Sequence, residues 1–149
     1  MNSLQLIKFT QCLAPTPKDN GDFAGNAAVD TRGLKELAFL IETGDLAAAV
    51  GSTAEGNALK IEECDTEGGS YTDVTGAALA DAIAADEDNK MFGIVVDLKK
   101  SHKRFMRVNA PHAGDGSGTD SLLSVVALGV PDQSPVNTAD AGLEELITP

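Results

Sequence analysis

The sequence has few aromatic side chains and few cysteines. Among 149 residues there is no tryptophan and one tyrosine, and aromatic residues make up 4% of the chain. Carbohydrate sites commonly use flat aromatic faces, so this scarcity counts against a glycan-binding site. The two cysteines, Cys12 and Cys64, are too few for a disulfide scaffold, and their spacing matches no zinc motif. We therefore expect both thiols to be free.

Positive charge and long apolar runs are also scarce. The chain carries 11 Lys and Arg against 23 Asp and Glu, a net charge of −12. Such a charge repels phosphates and excludes nucleic acid as the main partner, while it suits a partner with a basic surface. No apolar run approaches the roughly 20 residues of a membrane-spanning helix. Lys8 and Gln11 break the pattern of a signal peptide. We expect a protein made in a cytosol, with no membrane partner.

Recognisable catalytic and ligand-binding motifs are missing as well. The glycine-rich residues 114–118 fit neither a dinucleotide fingerprint, nor a phosphate loop, nor a nucleophile elbow. The acidic residues 86–89 and the polar residues 115–119 lack the full oxygen pattern of a calcium loop. The two histidines, His102 and His112, form no metal-ligand spacing. The sequence therefore predicts no enzyme, no cofactor and no metal site.

Short β-prone segments separated by turn signals make up most of the sequence. We predict strands at residues 4–9, 23–29, 35–43, 58–64, 71–74, 91–98, 104–108 and 122–130. Short strands at this spacing predict an all-β domain, either a sandwich or a barrel. The length suits one domain, which we place at residues 1–130. The composition changes after Pro131, so residues 131–149 are predicted to form a C-terminal arm.

Two local patterns depart from simple strands. Pro15 and Pro17 predict a loop after the first strand. Residues 75–86 are rich in alanine, Thr75 can cap them, and Leu79 and Ile83 lie one helical turn apart. These residues predict one short helix inserted between strands.

The segment 91–108 has an apolar run followed by the chain's densest basic run. Four apolar residues alternate along its first half: Phe92, Ile94, Val96 and Leu98. In an extended chain they point to one face, and we expect them to be buried together with Phe39 and Ile41. Because a polar connection and another β-prone stretch follow, this segment predicts a hairpin whose first strand lies at the centre of a sheet.

The basic residues of this segment form the strongest candidate for a binding site. Five of the eleven Lys and Arg fall within nine residues: Lys99, Lys100, Lys103, Arg104 and Arg107. One interpretation is a contact with an acidic surface on a neighbouring subunit or another partner. The other is pairing within the chain, with Glu62, Glu63 or Asp97 on adjacent strands. The two interpretations are compatible, and the sequence leaves both open.

A second candidate contact lies in the C-terminal arm. Leu143, Leu146 and Ile147 form a short apolar stripe. Such a segment is too short to fold as an isolated helix, so it must be held by its own sandwich, by a sister subunit or by another surface. We expect an intermolecular contact.

Several short motifs, taken in order, carry a family resemblance. They are VDTRG at 29–33, KELAF at 35–39, LKIEECD at 59–65, SYTDV at 70–74, GIVVDL at 93–98 and KRFMRV at 103–108. This order resembles small β-sandwich structural proteins of tailed-phage morphogenesis clusters, most of all the head decoration or cement proteins. The alanine-rich insert at 75–85 is longer than in that family.

The resemblance implies both a fold and a function. It implies a jelly-roll-like β-sandwich with extended terminal arms and no enzymatic activity. It also implies binding to the outside of an assembled capsid, through the major capsid protein and as a symmetric homo-oligomer, with a trimer favoured. We expect a virion structural protein at the capsid surface, assembled in the host cytoplasm. The alternative is a tail- or fibre-associated module that binds a receptor or glycan, and a wall-degrading hydrolase ranks third.

Overall fold

The computed structural model of the chain describes residues 6–23, 27–51, 58–112 and 118–132. It contains eight strands: β1 (Lys8–Lys18), β2 (Val29–Asp30), β3 (Leu34–Thr43), β4 (Lys60–Cys64), β5 (Thr72–Ala78), β6 (Met91–Asp97), β7 (Phe105–Asn109) and β8 (Ser121–Pro131). They form two four-stranded antiparallel sheets, so the predicted all-β sandwich is confirmed.

The strands alternate between the sheets along the chain. The first sheet has the order β1-β8-β3-β6, and the second has the order β2-β7-β4-β5. Among the named strands, β4 and β5 are the one consecutive pair that lies side by side, and every other consecutive pair is split between the sheets. The strands predicted at 58–64 and 71–74 are therefore neighbours that form an antiparallel hairpin.

The core lies between the two sheets. It is formed by alternate side chains of the central strands, which point inward. In β3, Leu37, Phe39 and Ile41 are fully buried, as the pattern of residues 35–43 predicts. In β8, Leu123 and Val125 are fully buried beside β3. Burying an aliphatic or aromatic side chain of this size contributes about 2 kcal/mol, so these two strands hold the first sheet in place. Strand β8 lies between β1 and β3, and its alternate residues from Ser121 to Gly129 are buried, whereas those between them are half-buried.

The predicted hairpin at residues 91–108 is wrong. Strand β6 pairs with β3 at the edge of the first sheet, whereas β7 pairs with β2 and β4 in the second sheet. The polar turn after Asp97 therefore carries the chain from one sheet to the other. Ile94 and Val96 do face the core beside Phe39 and Ile41, as predicted, and Phe92 and Leu98 are half-buried against it. Because β3 is the one strand paired with β6 in the described chain, β6 is an edge strand and not a central one.

The predicted helix at residues 75–86 is also wrong. Thr75 lies within strand β5, and the described residues contain no α-helix. Gly76 has a φ of 79°, which breaks a right-handed helix at its second residue. Tertiary pairing then overrides a short alanine-rich pattern that is marginal by itself. Leu79 donates its N–H to the carbonyl of Leu59 at 2.9 Å, and Ile83 bridges to Val50.

The first strand is longer than its prolines predicted. Strand β1 runs through Pro15 and Pro17, where a loop was expected. It is an edge strand of the first sheet, and its pairing with β8 shifts register twice. An edge strand tolerates proline because the missing N–H can face solvent. Of the strand expected at 23–29, Val29 lies in β2 and Phe23 forms an isolated bridge with Ala110, while residues 24–26 lie outside the described chain.

Candidate functional site

The fold brings part of the basic cluster against carboxylates of the second sheet. The guanidinium of Arg104 binds Asp30 with two hydrogen bonds, from Nε to Oδ1 at 3.1 Å and from Nη2 to Oδ2 at 2.8 Å. Arg32 also binds Asp30, with Nη2 at 2.8 Å from Oδ2. Hydrogen bonding to Arg104, joined by Arg32, holds the pKa of the Asp30 carboxyl well below its usual range. No local sequence pattern points to this pair, because its members lie 74 residues apart.

Arg107 pairs with the most deeply buried carboxylate of the described chain. Its Nε and Nη2 lie 3.1 and 3.0 Å from Oε2 of Glu62, while Nδ2 of Asn109 donates to Oε1 at 2.7 Å. Glu62 is 8% exposed, so these donors replace most of its water. The guanidinium of Arg107 also lies 4.0 Å from the ring centre of Tyr71. Pairing with Glu62 was one of the two interpretations left open by the sequence.

Lys103 also makes contacts within the chain. Its backbone N–H donates to Oε2 of Glu63 at 3.1 Å, and its Nζ donates to Oγ1 of Thr72 at 2.8 Å. His102 contacts the same Glu63 oxygen through Nδ1 at 2.9 Å. Lys103, Arg104 and Arg107 are therefore structural residues of the second sheet, whatever else they contact.

Lys99 and Lys100 are the two members of the cluster whose side chains are exposed to solvent. Both are exposed in the turn after β6, and within the described ranges neither ammonium group lies within ion-pair distance of a carboxylate. The carboxylate of Asp97 instead accepts the backbone N–H of Lys99 at 3.0 Å. We call Lys99 and Lys100 the basic turn. A contact with an acidic partner stays a prediction for these two side chains.

The outer side of the first sheet carries an apolar surface that sequence reasoning missed. Aligned positions across its four strands form one row of side chains: Phe9, Leu128, Ala38 and Val95. Val126, Leu40 and Gly93 form the next row, which ends on β1 at the exposed polar residue Gln11. We call these two rows the outer apolar face. The signal was present in residues 122–130, which are apolar at both alternate sets of positions.

An acidic border flanks the outer apolar face. Glu36 and Asp97 lie directly opposite one another at one end, and Glu42 lies opposite Met91 at the other. All three carboxylates are exposed. A partner for this surface would need apolar contacts at its centre and basic groups at its edges.

The two cysteines and His112 are buried in the described chain. Cys12 and Cys64 are both buried and free, as expected from the cysteine count. Burial raises the pKa of the Cys12 thiol to about 12, which removes its nucleophilic thiolate form at neutral pH. His112 is buried with its ring centre 5.0 Å from that of Phe23. Within the described ranges, no three His, Cys, Asp or Glu side chains are grouped as metal ligands.

The remaining expectation about site residues lies outside the described residues. Leu143, Leu146 and Ile147 belong to the stretch after Asp132, so the predicted contact of the C-terminal arm stays a prediction. Over the described ranges, the chain has no helix of the length and apolarity that crossing a membrane requires. No model of a known protein family matches the chain, and no curated protein matches it.

Proposed function

We propose that this chain is a virion structural protein that binds the outer surface of an assembled phage capsid and stabilises it. The observation that carries the proposal is the strand order, β1-β8-β3-β6 facing β2-β7-β4-β5. We infer from this order an eight-stranded jelly roll, in which two interlocked Greek keys alternate between the sheets. That architecture recurs in viral capsid proteins, and it agrees with the family that the sequence motifs resemble.

The surface chemistry supports a role in binding another protein. The first row of the outer apolar face crosses all four strands, with Val95 exposed and Phe9, Ala38 and Leu128 half-buried. Contiguous exposed apolar surfaces mark protein contacts in soluble proteins. Its exposed acidic border and the net charge of −12 favour a partner with basic groups. We propose the major capsid protein as that partner. The motif resemblance also favours a homo-oligomer, with a trimer as the leading candidate.

A glycan- or receptor-binding module on a tail or fibre has less support. Jelly rolls also occur in lectins, so the fold alone allows it. The ring of Tyr71, the one tyrosine of the chain, has a face covered by the guanidinium of Arg107 at 4.0 Å. A sugar could stack on that face only by displacing an arginine that also pairs with buried Glu62.

A sedimentation assay with capsids tests the proposed function. The full-length chain is mixed with heads of the encoding phage that lack it, and the heads are pelleted. We expect binding that saturates at a fixed copy number per head and raises the temperature at which the heads open. Ala38→Lys, at the centre of the outer apolar face, should abolish binding. Thr75→Lys, at an exposed position of the second sheet, adds the same charge and should bind normally.

Two outcomes would reject the proposed function. One is a chain that does not pellet with heads while its circular dichroism and melting temperature show that it is folded. The other is reproducible binding to defined glycans on an array with no binding to heads, which would favour the receptor-binding alternative.

A further inference from the structure

One of the four sheet edges in the described chain lacks the usual protection against strand pairing. Edge strands are normally protected by prolines, bulges, charges or short length. Strand β1 has Pro15, Pro17 and two register shifts, β2 is two residues long, and β5 has an irregular register near Gly76. Strand β6 pairs with β3 in unbroken register from Met91 to Asp97. Its first six residues include neither a proline nor a charge.

The backbone of β6 presents hydrogen-bonding groups to this open edge. Just before the strand, the carbonyl of Lys90 accepts the N–H of Thr43 at 3.0 Å, and the N–H of Lys90 donates to Oγ1 of Thr43 at 2.9 Å. Lys90 therefore points both groups at β3. In an antiparallel pair this direction alternates along the strand. The N–H and C=O groups of Met91, Gly93 and Val95 consequently point away from β3, toward the open edge.

Met91, Gly93 and Val95 also form a flat apolar strip, because none of the three carries a polar side chain. Met91 is 66% and Val95 is 73% exposed, the highest values for large hydrophobic side chains in the described residues. Between them, Gly93 leaves a gap. A Cβ at Gly93 would meet no atom of its own fold closer than 3.9 Å, so the sandwich does not require glycine there. The absence of a side chain does allow another strand to approach.

Charges at the two ends of β6 favour one orientation of an added strand. Asp86, Glu87 and Asp88 precede the strand, and we call them the acidic turn. The basic turn, Lys99 and Lys100, follows it. If a second copy adds its own β6 in the antiparallel direction, each acidic turn lies beside the basic turn of the other copy. A parallel arrangement would place like charges together, which is unfavourable.

We propose that β6 is a two-fold interface at which two copies of this chain pair antiparallel and join their first sheets into one. The axis passes near Gly93, so Met91 of each copy lies opposite Val95 of the other and both glycines meet at the centre. A closed two-fold contact uses the same surface on both copies, as most homodimers do. The joined sheet would carry the outer apolar face of both copies on one side. The inference is independent of the proposed capsid role and differs from the trimer expected from the motif resemblance.

Sedimentation velocity of the full-length chain over a range of concentrations tests the two-fold pair. We expect a reversible equilibrium between the 15.3 kDa chain and a species of twice that mass. Val95→Lys places a charge on the strip and should weaken self-association by about tenfold or more. Ala14→Lys adds the same charge at an exposed position of β1, the other edge of this sheet, and should leave association unchanged. If Val95→Lys does not fold, Met91→Lys tests the same strip.

A charge-swap experiment tests the antiparallel orientation. With the two-fold axis at Gly93, residue 86 of one copy lies beside residue 100 of the other copy. Lys100→Glu puts two carboxylates together there, and Asp86→Lys puts two ammonium groups together, so each variant alone should associate more weakly than the natural chain. A mixture of the two should recover dimers that contain one copy of each, because residues 86 and 100 then carry opposite charges on both sides of the axis.

Amide exchange locates the contact within the strand. The N–H groups of Met91, Gly93 and Val95 should become protected as the concentration rises, and Val95→Lys should abolish that gain. The proposal is overturned by a chain that stays monomeric at millimolar concentration, or by a trimer that Val95→Lys does not affect. Failure of the charge-swap mixture to associate better than its components would overturn the antiparallel arrangement. All of these results are separable from capsid binding.

Discussion

At the scale of single residues, buried Glu62 shows how this acidic protein tolerates a charge inside its second sheet. Both of its oxygens accept hydrogen bonds, from Arg107 and Asn109. Removing one partner of such a pair is costly because the other charge stays buried without compensation. The same pair could be anticipated as an alternative from sequence, since β4 and β7 both carried apolar alternation. The Arg104–Asp30 pair could not be, since no local pattern connects residues so far apart.

We predict that Arg107→Met destabilises the fold by about 2 kcal/mol, because it leaves Glu62 without its cationic partner. Urea denaturation at neutral pH measures this as a lower transition midpoint. Arg32→Met is the matched control, since the Arg32 side chain is 68% exposed and should cost little. Equal losses in the two variants would show that the buried pair has no special importance.

The depressed pKa of Asp30 predicts a dependence of stability on pH. The folded pKa lies below that of the unfolded chain, so the ionised carboxylate stabilises the fold above about pH 4. That contribution falls as the pH drops through the depressed folded value. Asp30→Asn should therefore cost about 1 kcal/mol near pH 7, a small value because the pair is partly exposed to solvent. The difference in melting temperature between the natural chain and Asp30→Asn should become smaller as the pH is lowered. A gap that stays constant down to about pH 2 would contradict the assignment.

At the scale of elements, the alternation of apolar and polar residues predicted the strands that have one face in the core. Residues 35–43 form β3 as expected, because burial of every second side chain requires an extended chain. The predicted helix failed at β5 because the pattern there is local, whereas Lys60 and the rest of β4 provide a strand partner. The predicted hairpin failed because alternation reveals which face is buried but not which strand is the neighbour. Alternate side chains are buried toward the end of both β6 and β7, yet the two strands lie in different sheets.

Gly76 is the residue that we expect to distinguish the strand from the predicted helix. Its φ of 79° lies in the left-handed region, where an L side chain is strained. A Cβ at this position has open space around it, so any cost of Gly76→Ala comes from the backbone alone. We predict a loss of about 1 kcal/mol in chemical denaturation. Gly68→Ala, in the turn between β4 and β5, also has open space and should cost less. Stabilisation by Gly76→Ala would favour the helix after all.

At the scale of the whole molecule, the sandwich separates two kinds of surface. The outer side of the second sheet holds ion pairs, such as Arg104 with Asp30, that its own residues satisfy. The outer side of the first sheet is apolar and ends at the open edge of β6. Binding to other proteins is therefore expected mainly through the first sheet. The sequence shows that the basic residues are clustered. Without the register, it could not show that Arg104 and Arg107 face carboxylates or that Lys103 faces the hydroxyl of Thr72.

The C-terminal arm supplies the last prediction. The described core residues lie between Cys12 and Ala127, so the sandwich should fold without residues 132–149. We expect their deletion to leave a soluble domain that unfolds cooperatively and still pairs through β6, but that no longer binds capsids. The reason is that the apolar stripe of Leu143, Leu146 and Ile147 is too short to fold by itself, so we expect the capsid surface to hold it.

Circular dichroism with thermal melting checks the fold of the truncated chain, and the pelleting assay checks its binding to heads. Unchanged occupancy on heads would show that the arm is dispensable for capsid binding. Unfolding of the truncated chain would show instead that the arm completes its own core.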